Sequence, residues 1–228
     1  MTYLVVCEGP SERAYLQRLA SLLEKSLPPQ DDGYSPRLKL IPKITNELTG
    51  GGDLKLVRNR YSQLCKESLR LNKIVWVDCD IYIRNGTEKE RQNAKSYFEN
   101  RGRLPEFHFS VMNYEDFLAM HFEDKLFIAW KGIMGNAQHF KKPLHSKDYE
   151  KLFNPIWQRH LTSLGCSPCD YTKGNLPVEF ITVDSLNRMI RRCQDPELRQ
   201  LFTRHSPAKS FPELLSTLLR EHYSEEFI

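Results

Sequence analysis

Residues 4–16 read LVVCEGPSERAYL, an apolar strand pattern that stops at Glu8 and continues as a helical pattern. A second apolar run, IVWVDCD at residues 74–80, ends in Asp78 and Asp80. Buried strands of a parallel α/β sheet have continuous apolar runs of this kind, and ligands bind just outside their carboxyl ends. The two runs therefore predict two strands of a parallel sheet, each followed directly by acidic residues.

The acids after these two strands have the spacing expected of a single site. Asp78 and Asp80 are two residues apart, so they point to the same side of an extended chain. Glu8 closes the first strand, and Glu12 lies in the first turn of the following helix, with Gly9 permitting the tight turn between them. Carboxylates this close together repel each other unless a cation lies among them, and Mg²⁺ or Mn²⁺ takes such an all-oxygen site.

Each half of this pattern also has an ordinary structural explanation. Glu12 is favoured in a first helical turn by the helix dipole, and aspartates such as Asp78 and Asp80 commonly form turns at strand ends. Two independent strand ends that both finish in acids are harder to explain in this way, because the chain as a whole is slightly basic, with a net charge of +4. The two clusters together therefore favour a metal site.

Strand and helix patterns alternate through residues 1–122 and predict a mainly parallel α/β sheet with helices on both sides. The expected strands are residues 3–7, 38–44, 73–78 and 106–111, with helices beginning near residues 11, 54, 87 and 114. Beyond residue 128 the pattern is mostly helical, with a connecting region near 131–143 and one last strand at 177–183. We therefore expect an α/β core over residues 1–128 and a helical region, residues 129–228, packed on it.

The composition is that of an ordinary globular protein. The chain has 228 residues, of which 40% are hydrophobic and 27% are charged. These values exclude a disordered or low-complexity chain, and no run reaches the roughly 18 apolar residues that a membrane span requires. The N-terminus enters a strand without the charged and apolar regions of a secretory signal, so we expect a cytoplasmic protein.

In order and spacing these motifs resemble the TOPRIM domain, which occurs in topoisomerases, bacterial primases, OLD-family nucleases and small defence nucleases. The run from Glu8 to Leu16 is similar to the RloB group, which resembles OLD nucleases in having a second acid four residues after the first. That group usually continues with a serine, an Asn-Pro pair and an aromatic-Glu-x-aromatic run ending in His-Phe. Residues 110–122, SVMNYEDFLAMHF, follow this pattern but have Asn113-Tyr114 where the group has Asn-Pro.

The resemblance implies a TOPRIM-like, Rossmann-like fold and a metal-dependent nuclease. Glu8, Glu12, Asp78 and Asp80 would hold one or two Mg²⁺ or Mn²⁺ ions, and Glu115 would complete the metal shell or act as a base. It further implies cleavage of transfer RNA or DNA in antiviral defence by abortive infection, with a partner ATPase as a possible regulator. A homodimer is left open, and the chain itself contains no ATPase motif.

Several basic side chains are candidates for binding the phosphate backbone of a nucleic acid. They are Arg13 and Arg84 near the acids, and Lys141, Lys142, Arg191 and Arg192 in the second half, with His121 as a further substrate-binding candidate. Solvated helix faces explain the basic residues equally well, and a lone histidine in an apolar stretch is more often a hydrogen-bonded core residue. The alternative function is a non-catalytic TOPRIM-fold subunit of a defence complex that binds a partner or nucleic acid.

Overall fold

The structure is a computed structural model that describes residues 1–25, 38–44, 54–78, 107–110, 113–139, 144, 146–203, 209–223 and 227. Within these residues the chain forms one open sheet in which every neighbouring pair of strands is parallel. The strands are β1 Thr2–Cys7, β2 Lys39–Ile44, β3 Asn72–Val77, β4 Phe107–Phe109 and β5 Lys209–Ser210, in the order β2-β1-β3-β4-β5. The predicted parallel α/β architecture is confirmed.

Helices connect and flank the strands. They are α1 Pro10–Lys25, α2 Leu54–Glu67, α3 Tyr114–Ala119, α4 Asp124–Asn136, α5 Ser146–Ser163, α6 Val183–Gln194, α7 Pro196–Thr203 and α8 Phe211–His222. Helices α1, α2 and α3 begin close to the predicted residues 11, 54 and 114. The helix expected near residue 87 lies outside the described residues. None of the described helices combines the length and apolar character needed to cross a membrane.

Alternate strand residues point to opposite faces of the sheet, and each face has its own hydrophobic cluster. Val5 and Trp76 belong to the larger cluster, which includes α1, α3, α4, α5, α6 and α8. Val6 and Val75 face the other way and pack with Val57 of α2. The period-2 alternation of a strand explains this division, because neighbouring apolar residues are buried on different sides.

The strand order places a crevice between β1 and β3. From β1 the chain passes to β2 on one side, and β3 then pairs with the opposite side of β1. The direction of winding therefore reverses between β1 and β3, and such a switch point is where open α/β sheets bind ligands at the carboxyl ends of their strands.

The second half differs from the prediction in two elements. Residues 177–183 contain a short 3₁₀ helix, Val178–Phe180, rather than the expected strand, and the last strand is instead β5, which pairs with β4. Residues 131–135, expected in a connecting region, lie within α4, where added side-chain carbons at Gly132 and Gly135 would meet nothing within 4 Å. Residues 128 and 129, where we expected the core to end, are likewise both inside α4.

The two halves share one hydrophobic core. A single cluster of buried side chains runs from β1 and α1 through α4, α5 and α6 to α8. Within it, Phe211 of α8 stacks on Trp76 of β3, with ring centroids 3.8 Å apart and an interplanar angle of 8°. The C-terminal region therefore supplies a strand and a share of the core, in addition to helices packed on the outside.

Candidate metal centre

Three of the predicted acids meet at the carboxyl ends of β1 and β3. Glu8 follows β1, Asp78 follows β3, and Glu12 lies in the first turn of α1. One carboxylate oxygen from each of the three lies within 4.8 Å of the other two. Glu8 and Glu12 are buried and Asp78 is half-buried. The prediction that the two acidic strand ends come together is therefore met for these three residues.

Two hydrogen bonds from the backbone hold the carboxylates in place. The amide of Gly9 donates to Oε2 of Glu12 at 3.2 Å, which ties the Glu12 side chain back to the turn that begins α1. The amide of Asp78 donates to Oε1 of Glu8 at 3.0 Å, which links the end of β3 to the end of β1. The carboxylates of Glu8 and Glu12 are thus each held by a backbone amide of the strand end or turn beside them.

The close approach of the acids shifts the protonation of Glu12. The pKa of the Glu12 carboxyl is raised to about 7, chiefly by burial and to a smaller extent by the negative charge of Glu115. Hydrogen bonds from the amides of Glu12 and Gly9, and the positive charge of Lys173, act in the opposite direction without cancelling the effect of burial. At neutral pH this carboxyl is therefore close to the midpoint of its titration, and a cation bound nearby would favour its ionised form.

Glu115 lies next to this group but outside it. It is 5% exposed, in the first turn of α3, and its charge acts on Glu12. It is not among the three residues whose oxygens all lie within 4.8 Å of one another. The prediction that Glu115 reaches the same edge of the sheet agrees with this position, while its role as a metal ligand or base stays a prediction.

The residue after Glu115 belongs to a different, fully buried network. Asp116 accepts hydrogen bonds from the amide of Asn113 at 2.8 Å and from the hydroxyl of Tyr149 at 2.8 Å, and its Oδ2 lies 2.9 Å from Nε2 of His139. The amide of Leu144 donates to Nδ1 of His139 at 3.1 Å, so the ring hydrogen is on Nε2 and is donated to Asp116. This network, which sequence reasoning missed, fixes α3 against α4 and α5 and so holds Glu115 in place.

Sequence reasoning also missed a segment of the second half that reaches the acids. The charge of Lys173 lowers the pKa of Glu12, so this exposed residue lies near the carboxylates. The next residue, Gly174, has a φ of +81°, and a side-chain carbon added there would lie 3.1 Å from Cβ of Pro10, the first residue of α1. Nε of Arg18 donates to the carbonyl of Leu176 at 3.0 Å. The segment from residue 171 to 176 is therefore packed along the start of α1, beside the metal ligands.

His121 lies in the core. It is fully buried, and its Nε2 is 3.1 Å from the hydroxyl of Tyr15, which is also fully buried. Its ring packs between those of Phe117 and Phe180, and burial holds the imidazole pKa well below its usual range. This position contradicts the predicted substrate-binding role and agrees with the alternative of a hydrogen-bonded core histidine.

Arg192 also has a structural role. It is 6% exposed, and its guanidinium donates to the carbonyl of Met120 at 2.9 Å and to Asp124 at 2.7 Å. The same group lies 3.9 Å from the ring centroid of Phe127. Arg192 therefore caps the end of α3 and joins it to α4, so the prediction that it binds phosphate is wrong.

The remaining candidates occupy varied positions. Arg13 is half-buried, directly after Glu12 on α1, and Arg191 is exposed on α6. Asp80, Arg84, Lys141 and Lys142 lie outside the described residues, so their predicted roles stay predictions.

The residues that meet at this site fit a hard divalent cation. The donor set consists of carboxylate oxygens alone, without a thiolate or imidazole, which suits Mg²⁺, Mn²⁺ or Ca²⁺ and disfavours softer metals. Comparisons with protein-family models, curated proteins and solved structures found no match. The functional argument therefore depends on the chemistry and position of the site itself.

Proposed function

We propose that this chain is a divalent-metal-dependent phosphodiesterase that hydrolyses nucleic acid. The observation that carries the proposal is the group of three carboxylates, two of them buried, at the switch point between β1 and β3. Burying several like charges is costly, and Glu12 retains a raised pKa in spite of its hydrogen bonds. An arrangement that lowers stability in this way is typical of a site that serves a function.

Glu8, Glu12 and Asp78 would hold the metal, which when bound activates a water and stabilises charge on the phosphorane and leaving oxygen. Glu115, whose charge acts on Glu12, would complete the metal shell or take a proton from the attacking water. Lys173 contributes positive charge near the acids, and with Arg13, which follows Glu12 on α1, it would orient the substrate phosphate. In this arrangement the carboxylates would bind the metal and the basic residues would orient the phosphate. The burial of Glu8 and Glu12 would limit the access of bulk water to the metal.

The finer assignment depends on the motifs of the sequence. They support a TOPRIM-like nuclease of the RloB and OLD type, using Mg²⁺ or Mn²⁺ and acting on transfer RNA or DNA in antiviral defence. The parallel sheet with acids after β1 and β3 is compatible with this assignment. A partner ATPase and a homodimer belong to the same proposal, as does a cytoplasmic location.

The test is cleavage of labelled transfer RNA, single-stranded RNA and plasmid DNA by the purified protein in Mg²⁺, Mn²⁺ or EDTA. We expect metal-dependent cleavage, lost by about a hundredfold or more in Asp78→Ala, because the variant removes a ligand needed for transition-state charge stabilisation. Calorimetric titration with Mn²⁺ provides a second readout, and Asp78→Ala is expected to weaken that binding too.

The matched control is Asp148→Ala, which removes an aspartate whose side chain is 65% exposed on α5. It is expected to cut and to bind Mn²⁺ like the wild type. If the wild type binds Mn²⁺ but cuts none of the substrates, the nuclease proposal fails and the non-catalytic binding subunit replaces it.

A further inference from the structure

Tyr171 is held beside the metal centre by contacts that do not involve its hydroxyl. Its backbone amide donates to Oδ1 of Asn154 at 3.0 Å. Its ring meets those of Phe153 and Trp157 edge-on, with centroids 5.4 and 5.3 Å away. The backbone three residues further on is fixed by the close approach of Gly174 to α1. The ring is therefore locked in position, and with it the direction in which the hydroxyl points.

The hydroxyl itself is buried against the acids without a well-formed hydrogen bond. No described residue lies in good hydrogen-bond geometry to the Tyr171 oxygen, although the Ser11 side chain is near enough to lower its pKa. Burial and the charges of Glu115, Glu12 and Asp78 together hold the phenol pKa well above its usual value. An ordinary tyrosine hydroxyl is protonated at neutral pH, so this buried group is a hydrogen-bond donor close enough to the three acids to be affected by their charges.

An unsatisfied buried donor costs stability, and in native structures it usually has a ligand, an ion or a water as its missing partner. A cation cannot accept this hydrogen bond, because the hydroxyl keeps its proton. The missing partner of the hydroxyl proton is therefore a hydrogen-bond acceptor, either a water or an oxygen of a bound molecule.

We propose that Tyr171 is a substrate-positioning residue whose hydroxyl donates a hydrogen bond to a non-bridging phosphate oxygen of the nucleic acid bound at Glu8, Glu12 and Asp78. This assignment rests on the proposed function and adds to it a residue from the second half of the chain. Phosphate oxygens accept hydrogen bonds from neutral tyrosines in nucleic-acid complexes, and such contacts fix the register of the backbone without reading its sequence.

The experiment compares Tyr171→Phe with the wild type in binding and in stability. Binding of a fluorescein-labelled single-stranded RNA and its DNA counterpart is measured by anisotropy in Ca²⁺, which takes oxygen ligands but in a looser geometry than Mg²⁺. We expect Tyr171→Phe to weaken binding by about tenfold, the loss of one good hydrogen bond. Its affinity for Mn²⁺ is expected to change by less than about twofold, because the carboxylates are untouched.

Stability separates this role from a structural one. Removing a hydroxyl that supports the fold lowers the unfolding midpoint, whereas removing an unsatisfied hydroxyl leaves it unchanged or raises it. Gly174→Ala keeps the hydroxyl but displaces the segment that carries it, and it is expected to weaken oligonucleotide binding as well. Tyr61→Phe, on α2 at the opposite face of the sheet, is the control and should bind like the wild type.

The outcomes distinguish the two proposals. If Tyr171→Phe binds the oligonucleotides as tightly as the wild type, the missing partner is only a water and the role of Tyr171 is overturned. If it binds less tightly while the wild type cuts nothing, the phosphate contact stands and the nuclease proposal falls. A wild type that binds neither Mn²⁺ nor oligonucleotide overturns both.

Discussion

Glu115 and Asp116 are adjacent in the sequence and both buried, yet they belong to regions of opposite character. Asp116 accepts hydrogen bonds from an amide, a tyrosine and a histidine, all within 2.9 Å. Glu115 faces the metal centre, where Glu12 receives a 3.2 Å hydrogen bond from Gly9 and has a pKa raised to about 7. A satisfied polar network of this kind stabilises a fold, whereas poorly compensated charge is typical of a site that binds something.

The comparison shows why a buried acid is by itself a poor indicator of function. Both regions contain acidic residues that are almost fully buried. The difference lies in the partners: donors surround Asp116, and other acceptors surround Glu12. Three variants test that difference, each by the change it makes in stability.

The largest effect is expected from Asp116→Ala. The variant leaves the Asn113 amide, the Tyr149 hydroxyl and the His139 ring without their shared acceptor, and each buried donor left unsatisfied costs about 1–3 kcal/mol, so a loss of about 3 kcal/mol or more is expected. The measurement is the free energy of unfolding from urea denaturation. Asp148→Ala is the control and should change stability by less than about 0.5 kcal/mol. A loss below 1 kcal/mol in Asp116→Ala would show that the network does not stabilise the fold.

Glu12→Gln is expected to stabilise the protein in EDTA at alkaline pH. The folded-state pKa of about 7 lies above the ordinary value of 4.5, so ionising Glu12 costs stability as the pH rises through this range. The shift in pKa corresponds to a loss of stability of about 3 kcal/mol. This loss is absent below pH 4.5, grows as the pH rises, and is complete above pH 7. Urea unfolding of the variant and wild type at pH 4.5 and pH 8 checks this.

The informative quantity is the difference between the two proteins at each pH. It should grow from near zero at pH 4.5 to a gain for Glu12→Gln at pH 8, while Glu24→Gln, an exposed position on α1, shows no such trend. A gain in stability that is equal at both pH values would contradict the assignment of the pH-dependent loss to ionisation of Glu12.

The smallest effect is expected from Tyr149→Phe, which removes one of the donors to Asp116. Loss of one hydrogen bond in a network that keeps its other members costs about 1 kcal/mol. The unfolding free energy should fall by that amount, and Mn²⁺ affinity should stay within about twofold of the wild type. The same substitution at Tyr171 is expected to leave the unfolding free energy unchanged or to raise it, so an equal loss of stability in the two variants would remove the distinction between the regions.

Local patterns in the sequence were sufficient for the described strands and helices of the first half and for bringing Glu8, Glu12 and Asp78 together. Strand β1 and the start of α1 follow from an apolar run, Gly9 and Pro10, and the acids after β1 and β3 must share an edge in a parallel sheet. The glycines in α4 suggested a connection because glycine disfavours helices. In the structure they lie on its open side and the helix continues through them. Strand β5 has only two residues, too few to leave a pattern.

The rest of the site depends on contacts between distant parts of the chain. Nothing near Tyr171 or Lys173 indicates that they meet α1, because the contact follows from the left-handed conformation of Gly174 and its approach to Pro10. Likewise, Arg192 has the composition of a phosphate-binding residue, but its partners are carbonyls at the end of α3. Charge can be read from a sequence, whereas the partners of that charge are set by packing.

The late position of β5 in the chain affects how the protein is made. The carboxylates of the metal centre are all synthesised before residue 79, but the strand beside β4 and the ring that stacks on Trp76 come only at residues 209–211. A nascent chain folds from its N-terminus as it emerges, and here the sheet cannot be completed until residues 209–211 have left the ribosome. The order of synthesis therefore separates the acidic group, which is complete by residue 78, from the last strand of the sheet and the ring that packs on Trp76.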